Sequence, residues 1–191
     1  MSADSLATLR QRARQTRRAL PIAQQQANAR ALRANLSQLP EIISAKSLAA
    51  YAAVNGEMDP AHTLTWARAT GKKTYLPIVS ASHLAFAPVD DTSTMVEGKF
   101  GIPTPDCAAS SLLQADALDA VLVPLLAFDD RLNRLGMGGG FYDRTFAFRT
   151  DSAPPPLLIG IAHACQKIAS LKPQSWDIPM DIIVTEAGVY R

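Results

Sequence analysis

The arrangement of apolar and polar positions divides the chain into a helical N-terminal part and a longer part in which strands alternate with helices. Residues 4–20 predict an amphipathic helix, because apolar residues recur at helical spacing and arginines occupy another face. The apolar positions are Leu6, Leu9, Ala13 and Leu20, and the basic positions are Arg10, Arg14, Arg17 and Arg18. Pro21 interrupts this helix because proline has no N–H to donate, and residues 22–38 predict a second helix.

Beyond residue 46, short apolar runs predict strands, and the stretches between them predict helices. The strand candidates are 47–54, 74–79, 120–126, 157–162 and 182–185, and the helix candidates are 60–70 and 142–149. This alternation is typical of a mostly parallel sheet with helices on both faces. The sequence therefore predicts a three-layer α/β/α fold. A length of 191 residues without repeats or a linker suits a single domain over 1–191, which begins with a basic helical segment over 4–38.

The positive charge is concentrated at the N-terminus. The net charge is +2, but seven basic residues and one acidic residue precede Glu41, which leaves a balance of −4 for the remainder. We therefore expect an anionic ligand or partner near the N-terminal helices.

Cysteine content and hydropathy indicate the compartment. Cys107 and Cys165 show no paired or metal-ligand spacing, so a reducing cytoplasm fits best. No apolar run approaches the roughly 18–20 residues of a membrane span, so no membrane association is expected. The Arg-rich start is also typical of an organellar transit peptide, and that alternative stays open.

A glycine-rich segment over 128–144 follows the strand candidate 120–126. In parallel sheets ligands bind in loops at the carboxyl ends of strands. Four glycines within 136–140 let backbone N–H groups approach a phosphate, Arg134 can fork onto its oxygens, and Asp143 can hold a divalent cation. The segment matches neither the P-loop nor the dinucleotide-binding fingerprint. A glycine-rich turn that merely closes a strand is the alternative.

The stretch Arg134-Leu-Gly-Met-Gly-Gly-Gly-Phe-Tyr-Asp-Arg144, preceded by Val-Pro-Leu-Leu-Ala-Phe-Asp, resembles the signature of the 5-formyltetrahydrofolate cyclo-ligase family, in its bacterial branch. Other segments match in the expected order. They are Leu9-Arg10 with Arg14, Arg17-Arg18-Ala-Leu, Asn55-Gly56-Glu57-Met-Asp59, Gly101-Ile-Pro-Thr-Pro105, and Trp176-Asp177-Ile-Pro179 followed by Asp181. The resemblance covers essentially the whole chain.

The resemblance implies a cytoplasmic α/β enzyme that uses ATP and Mg²⁺ to close 5-formyltetrahydrofolate to 5,10-methenyltetrahydrofolate. In that reaction ATP phosphorylates the formyl oxygen, N10 attacks the activated carbon, and ADP and phosphate are released. The implied partner is a small-molecule folate, with or without a polyglutamate tail. We expect a monomer that binds neither nucleic acid nor membrane.

The resemblance also implies roles for individual residues. The catalytic residues would be Arg134 and Tyr142. The nucleotide would contact Arg10, Arg14, Arg134, Leu135, Gly136, Met137, Gly138, Gly139, Gly140, Phe141 and Tyr142. The folate would contact Glu57, Phe100 and Tyr142, and magnesium would contact Asp143 and Asp181. Without the family match, Glu57 is better interpreted as a solvent-exposed turn acid and Phe100 as a core residue.

Two positions depart from the family pattern. Leu6 stands where many members have lysine, and Met137 replaces tyrosine or arginine. Candidates for the missing phosphate contact are Arg14, Arg17 and Arg18, and Asp129 is a second-choice metal ligand. One alternative function is a non-catalytic folate- or nucleotide-binding homologue. Another is an RNA-binding module built on the basic helix, although no aromatics interleave its arginines.

Overall fold

The computed structural model describes residues 5–150 and 154–191. Its α-helices are α1 (Leu6–Arg18), α2 (Ile22–Leu36), α3 (Pro40–Ser44), α4 (Ala61–Ala69) and α5 (Phe141–Thr145). Its strands are β1 (Ser47–Ala49), β2 (Lys73–Ser80), β3 (His83–Pro88), β4 (Met95–Glu97), β5 (Pro103–Pro105), β6 (Ala120–Pro124), β7 (Ala127–Phe128), β8 (Arg134–Leu135), β9 (Leu157–Ile161), β10 (Ile182–Thr185) and β11 (Gly188–Tyr190). None of the helices in these two ranges is long and apolar enough to cross a membrane.

Seven strands form one sheet in the order β11-β10-β9-β6-β1-β2-β3. The five inner strands run parallel, whereas β3 and β11 are antiparallel to their neighbours at the two edges. The centre of the sheet is buried on both faces, since residues 120–123 of β6 are 0% exposed. The predicted α/β class with a mostly parallel sheet is confirmed.

Successive residues of the central strands point to opposite faces of the sheet and enter two hydrophobic clusters. Ala120 and Leu122 belong to the cluster that includes the buried side chains of α2, α3 and α4. Val121 and Val123 belong to the second cluster, where Phe128 and Phe146 are fully enclosed. The second face is covered by loops and the short α5 instead of long helices, which leaves room beside the sheet for a cleft.

Several predicted elements have different ends in the structure. The first helix begins after Ser5, whose Oγ accepts from Thr8 N at 3.2 Å, and the predicted first position, residue 4, lies outside the described residues. The strand predicted over 47–54 ends at Ala49. The helix predicted over 142–149 divides into α5 and a 3₁₀ turn over Ala147–Thr150. That the whole chain forms one domain stays a prediction.

The sequence did not predict the two edge strands. β3 pairs with β2 along six registered positions after a turn in which Ala81 has a φ of 51°. β11 pairs with β10 along three positions. β11 has three residues, none of them buried, and gives no apolar signal. β3 has a buried apolar run over 84–87 that was not assigned to a strand from the sequence.

Candidate active site

A cleft of about 1230 Å³ opens beside the carboxyl ends of β1 and β6. Its walls come from the segment after β1, the middle of β2, the glycine-rich loop, the turn between β4 and β5, and residues 171–174 and 176–179. The cleft brings together every predicted site residue except Arg14 and Asp181. This location agrees with the rule that ligands bind at the carboxyl ends of parallel strands.

The glycine-rich loop over 136–140 runs from β8 to α5, and two of its glycines have a left-handed backbone. Gly138 has a φ of 101° and Gly140 a φ of 64°. A Cβ atom at Gly140 would lie 2.7 Å from Nη1 of Arg144, so a side chain there would force movement. Arg144 braces the loop by donating from Nη2 to Gly139 O and from Nε to Ser82 O, both at 2.8 Å. The loop is therefore held open by backbone geometry that favours glycine.

Helix α1 supports the glycine-rich loop from behind. Arg10 donates from Nε to Gly136 O at 3.0 Å, and Arg14 donates from Nη2 to Met137 O at 3.4 Å. Arg10 lines the cleft, whereas Arg14 does not. The loop carbonyls are thus turned toward the two arginines, and the cationic charge of Arg10 lies next to the loop.

Arg134 and Asp143 form an ion pair across the base of the loop. Nη2 of Arg134 lies 2.5 Å from Oδ1 of Asp143, and the same oxygen accepts from Ile178 N at 3.3 Å. The Arg134 side chain is 5% exposed, and within residues 5–150 and 154–191 its buried Nε has no hydrogen-bond partner. A buried N–H without a partner is costly unless a ligand satisfies it. Arg134 is therefore suited to an anion bound in the cleft.

Tyr142 lies close to Arg134 and interacts with the charge of Glu57. The guanidinium carbon of Arg134 lies 5.9 Å from the centroid of its ring. Burial, reinforced by the charge of Glu57, raises the pKa of the Tyr142 hydroxyl. The hydroxyl therefore stays protonated and can donate a hydrogen bond to a ligand oxygen.

Glu57 is buried, which contradicts the interpretation as a solvent-exposed turn acid. The positive φ values of Asn55 and Gly56, 54° and 76°, turn the chain so that the Glu57 side chain lines the cleft. Its Oε1 lies 3.4 Å from Nη1 of Arg17, and its Oε2 accepts from Val54 N at 3.1 Å. Burial raises the pKa of the Glu57 carboxyl, and Arg17 opposes that shift.

Phe100 lies on the turn between β4 and β5 and forms part of the cleft wall. Its side chain is 76% exposed, so it is not a core residue. Its ring meets the edge of Phe141 with the centroids 6.1 Å apart. Trp176, 66% exposed, also lines the cleft. The two exposed aromatic rings give this cleft apolar surface that a planar ligand can cover.

The structure does not bring the two predicted magnesium carboxylates together. Asp181 accepts from Leu158 N at 2.7 Å and pairs with Arg149, whose Nη2 lies 3.0 Å from Oδ1. These contacts place Asp181 at the amino ends of β9 and β10, outside the cleft. The prediction that Asp143 and Asp181 converge is therefore corrected, because the Arg149 pair and the strand-end contacts occupy the Asp181 carboxylate.

Asp143 fits magnesium without Asp181, if ligands from outside the protein complete the coordination. Mg²⁺ is commonly held by one or two carboxylates, with substrate phosphates and water supplying the other oxygens. Asp143 lines the cleft beside the glycine-rich loop and satisfies that requirement. No group of three or more candidate metal ligands exists in residues 5–150 and 154–191. Asp129 is also occupied, because its two oxygens accept from Arg131 N, Asn133 N, Asn133 Nδ2 and Leu171 N.

Arg14, Arg17 and Arg18 were candidates for the phosphate contact that Leu6 and Met137 do not supply. None of the three lines the cleft, and their contacts differ. Arg17 is buried against Glu57, and Arg18 donates to Asn55 Oδ1 at 3.4 Å. Arg14 reaches a loop carbonyl. The structure instead adds two lysines to the cleft wall that the sequence did not indicate, Lys99 and Lys172. Neither lysine stands in a periodic pattern or a charge cluster that could have indicated it.

Known proteins similar to this chain share one family. The sequence profile of the 5-formyltetrahydrofolate cyclo-ligase family matches residues 3–186. A 5-formyltetrahydrofolate cyclo-ligase of Escherichia coli (strain K12) is 34% identical over 181 residues, which cover 93% of this chain and 98% of that protein. One of Haemophilus influenzae is 35% identical over 144 residues, which cover 73% of this chain and 76% of that protein.

A solved structure supports the same assignment. The NMR structure of Aquifex aeolicus 5,10-methenyltetrahydrofolate synthetase superposes with a TM-score of 0.83 and 29% identity, over 97% of this chain and 92% of that one. Since the family profile and the full-length bacterial relative both span nearly the whole sequence, this chain belongs to the 5-formyltetrahydrofolate cyclo-ligase family.

Proposed function

We propose that this protein converts 5-formyltetrahydrofolate to 5,10-methenyltetrahydrofolate with consumption of ATP in the presence of magnesium. The observation that carries the proposal is one cleft that joins an anion-binding side, with Arg134 and the glycine-rich loop, to a buried carboxylate, Glu57. A cleft of about 1230 Å³ has room for two ligands, since single-ligand pockets are commonly about 300–1,000 Å³. The family relationship supports the same reaction.

The reaction needs activation and positioning more than a protein nucleophile. The formyl oxygen attacks the γ-phosphorus of ATP, and the bond from that phosphorus to ADP breaks. N10 then bonds to the formyl carbon and releases its proton to solvent, and the carbon–oxygen bond breaks as phosphate leaves. Each step builds or moves negative charge on oxygen, so fixed cations and N–H donors accelerate it. A cleft that contains no Ser-His-Asp constellation is consistent with this chemistry.

We assign the anionic side of the cleft to the ATP phosphates. Arg134 would neutralise charge on the transferring phosphoryl group through its fork of N–H donors, including the buried Nε. Arg10 would add a second cation behind the loop, and Gly138 to Gly140 would allow close approach of the backbone. Because α5 has five residues, we ascribe the stabilisation to arginines and loop N–H groups and not to a helix dipole.

Magnesium is assigned to Asp143, with phosphate oxygens and water completing its coordination. Bound there, the ion would offset phosphate charge and fix the phosphate orientation. The position of Asp143 in the cleft, one residue after Tyr142, supports this assignment. The Arg134–Asp143 pair holds the carboxylate next to the side of the cleft that we assign to the phosphates.

We assign the other side of the cleft to the folate. Two acceptor oxygens of Glu57 match the two parallel donors of a pterin, its N3–H and its 2-amino group. Tyr142 would donate its hydroxyl proton in a hydrogen bond to the formyl oxygen, since its raised pKa keeps it protonated. Phe100 would cover an aromatic face of the folate, which its high exposure permits.

We also propose that the protein is a cytoplasmic monomer that does not bind nucleic acid. Arg10, Arg14, Arg17 and Arg18 contact the loop and the Glu57 turn instead of forming a free basic surface. This arrangement supports small anionic ligands over nucleic acid. Cys107 and Cys165 carry free thiols, which suits a reducing cytoplasm. We propose a monomer, because both sides of the cleft come from a single chain.

The test mixes purified protein, Mg-ATP and 5-formyltetrahydrofolate and follows the absorbance of methenyltetrahydrofolate. We expect one ADP and one phosphate per product formed. Reactions without ATP and reactions with magnesium removed by a chelator are the controls. Product that forms equally well in those controls would contradict the proposal, whereas tight binding of both ligands without turnover would identify a non-catalytic homologue.

A further inference from the structure

Arg17 is a buried cation whose one charged partner is the Glu57 carboxylate, on the evidence of the ion pairs in residues 5–150 and 154–191. The side chains of the pair are 2% and 6% exposed. Arg17 does not line the cleft, and its buried Nε lacks a hydrogen-bond partner within the same two ranges. Burying an arginine so completely removes its charge from water at a large cost in free energy. Surface charge alone therefore does not account for the Arg17–Glu57 pair.

Each oxygen of the Glu57 carboxylate has one partner in the protein, and the residue also lines the cleft. Oε1 faces Arg17, and Oε2 accepts from Val54 N. An ionised carboxylate has about four acceptor sites, so roughly two remain for donors that enter from the cleft. A protonated carboxyl would instead present a donor, which mismatches the donors of a pterin.

The groups around Glu57 show why a cation is needed there. Tyr51 follows β1 and Tyr142 belongs to α5. Burial raises the pKa of both hydroxyls, and the charge of Glu57 raises it further. His163, after β9, lies against the backbone of Gly56 and Glu57 and stays neutral, because burial lowers its pKa. Arg17 is thus the cationic group that faces the carboxylate directly.

We propose that Arg17 is a positioning residue for folate recognition, which keeps the Glu57 carboxylate ionised and oriented toward the cleft without touching either substrate. The inference rests on the proposed role of Glu57 in binding the pterin. It also explains why the arginines of α1 make different contacts. Arg10 acts on the phosphate side of the cleft and Arg17, two turns later on the same helix, acts on the folate side.

The first experiment measures folate and ATP affinities separately, by titration of each ligand alone, for wild type, Arg17→Met and Arg17→Lys. We expect Arg17→Met to lower folate affinity at least about tenfold, because the buried carboxylate loses its counter-charge. Affinity for Mg-ATP should change less than about twofold. Arg17→Lys, which retains the charge, should recover part of the loss. Arg12→Met, at an exposed position of the same helix, is the matched control.

The pH dependence separates positioning from a general loss of structure. Without Arg17 the pKa of Glu57 rises further, so a larger fraction is protonated near neutral pH. The ratio of folate affinities, Arg17→Met over wild type, should therefore increase as the pH is raised. Taking the ratio at each pH removes the titration of the ligand itself. A ratio that is constant with pH would overturn the proposal.

A double variant makes the test independent of whether Arg17→Met folds. Arg17→Met combined with Glu57→Gln removes both charges, which is far better tolerated than leaving one charge buried. If Arg17 acts through Glu57, the double variant should bind folate within about twofold of Glu57→Gln alone. A further loss of tenfold or so would show that Arg17 acts on its own and would overturn the proposal.

The outcomes distinguish this inference from the proposed function. If the wild-type protein neither binds 5-formyltetrahydrofolate nor forms product, the proposed function itself is contradicted. If the wild-type protein is active, and folate affinity falls strongly in Glu57→Gln but not in Arg17→Met, the role of Arg17 alone is contradicted.

Discussion

Nη2 of Arg134 lies 2.5 Å from Oδ1 of Asp143, so the residue before the glycine-rich loop is tied to a residue just after it. The pair places a cation and an anion at the base of the glycine-rich loop. Under the proposed function the cation acts on the phosphoryl group and the anion on magnesium. Substituting each partner separately should therefore change different kinetic parameters.

Arg134→Ala should lower kcat more than it weakens ATP binding. The guanidinium would stabilise charge that builds on the phosphoryl group during transfer, and losing such a donor typically costs about a hundredfold or more. Steady-state kinetics with each substrate varied will measure the effect. Arg131→Ala, at an exposed position nearby, should behave as wild type. If Arg134→Ala raises KM for ATP with kcat unchanged, the residue is an anchor and not a catalytic residue.

Asp143→Asn should raise the magnesium concentration needed for half-maximal activity, because one negative oxygen ligand is lost. The matched variant is Asp181→Asn, since Asp181 lies outside the cleft and pairs with Arg149. Asp181→Asn should leave the magnesium titration unchanged and lower the free energy of unfolding by about 2 kcal/mol, as expected for lost charge-assisted hydrogen bonds. The reverse pattern, with Asp181→Asn changing the magnesium requirement, would restore Asp181 to the metal site.

Glu57→Gln should weaken folate binding while ATP binding in the absence of folate stays the same. The amide replaces one acceptor oxygen by a donor, which then faces a pterin donor, at a cost of about 2–4 kcal/mol. Affinity should fall roughly 30- to 1,000-fold. Asp59→Asn, an exposed acid in the same segment, is the control for charge alone. Equal folate affinities for wild type and Glu57→Gln would exclude Glu57 from the folate site.

Protein stability should fall as the pH drops below about 6.5, partly because of His163. This side chain is 0% exposed, and burial lowers its pKa below the ordinary value of 6.5. Below pH 6.5 this histidine binds a proton in the unfolded chain but not in the folded chain. The free energy of unfolding therefore decreases by up to about 1.4 kcal/mol per pH unit. Denaturant unfolding between pH 5.5 and 7.5 measures this slope.

His163→Gln should reduce the slope, because glutamine does not titrate. His62→Gln, at an exposed position, should keep it. An unchanged slope in His163→Gln would show that His163 is protonated in the folded protein, for instance by rearrangement of its contact with Asn28.

Local sequence features were sufficient to predict the inner part of the fold. The runs at 120–126 and 157–162 are apolar on both sides, because β6 and β9 are covered on both faces, and both strands are present. The glycines at 136–140 predicted a loop whose backbone N–H groups can approach a ligand, and in the structure Gly138 and Gly140 have left-handed backbone angles. The edge strand β11 was missed because its three residues are not buried and give no apolar signal. The edge strand β3 was missed although its residues 84–87 are apolar and buried.

The sequence by itself determined the family and the α/β class, and all of its predicted site residues except Arg14 and Asp181 line the cleft. The tertiary structure decided which charges meet. Arg17 is 40 residues from Glu57 and Arg149 is 32 residues from Asp181, so neither pair leaves a local pattern. The energy of a charge depends on its burial and on partners brought close by folding, and residue spacing encodes neither. For that reason Arg17, a candidate phosphate contact in the sequence, pairs with Glu57, and Asp181, a predicted metal ligand, pairs with Arg149 at a strand end.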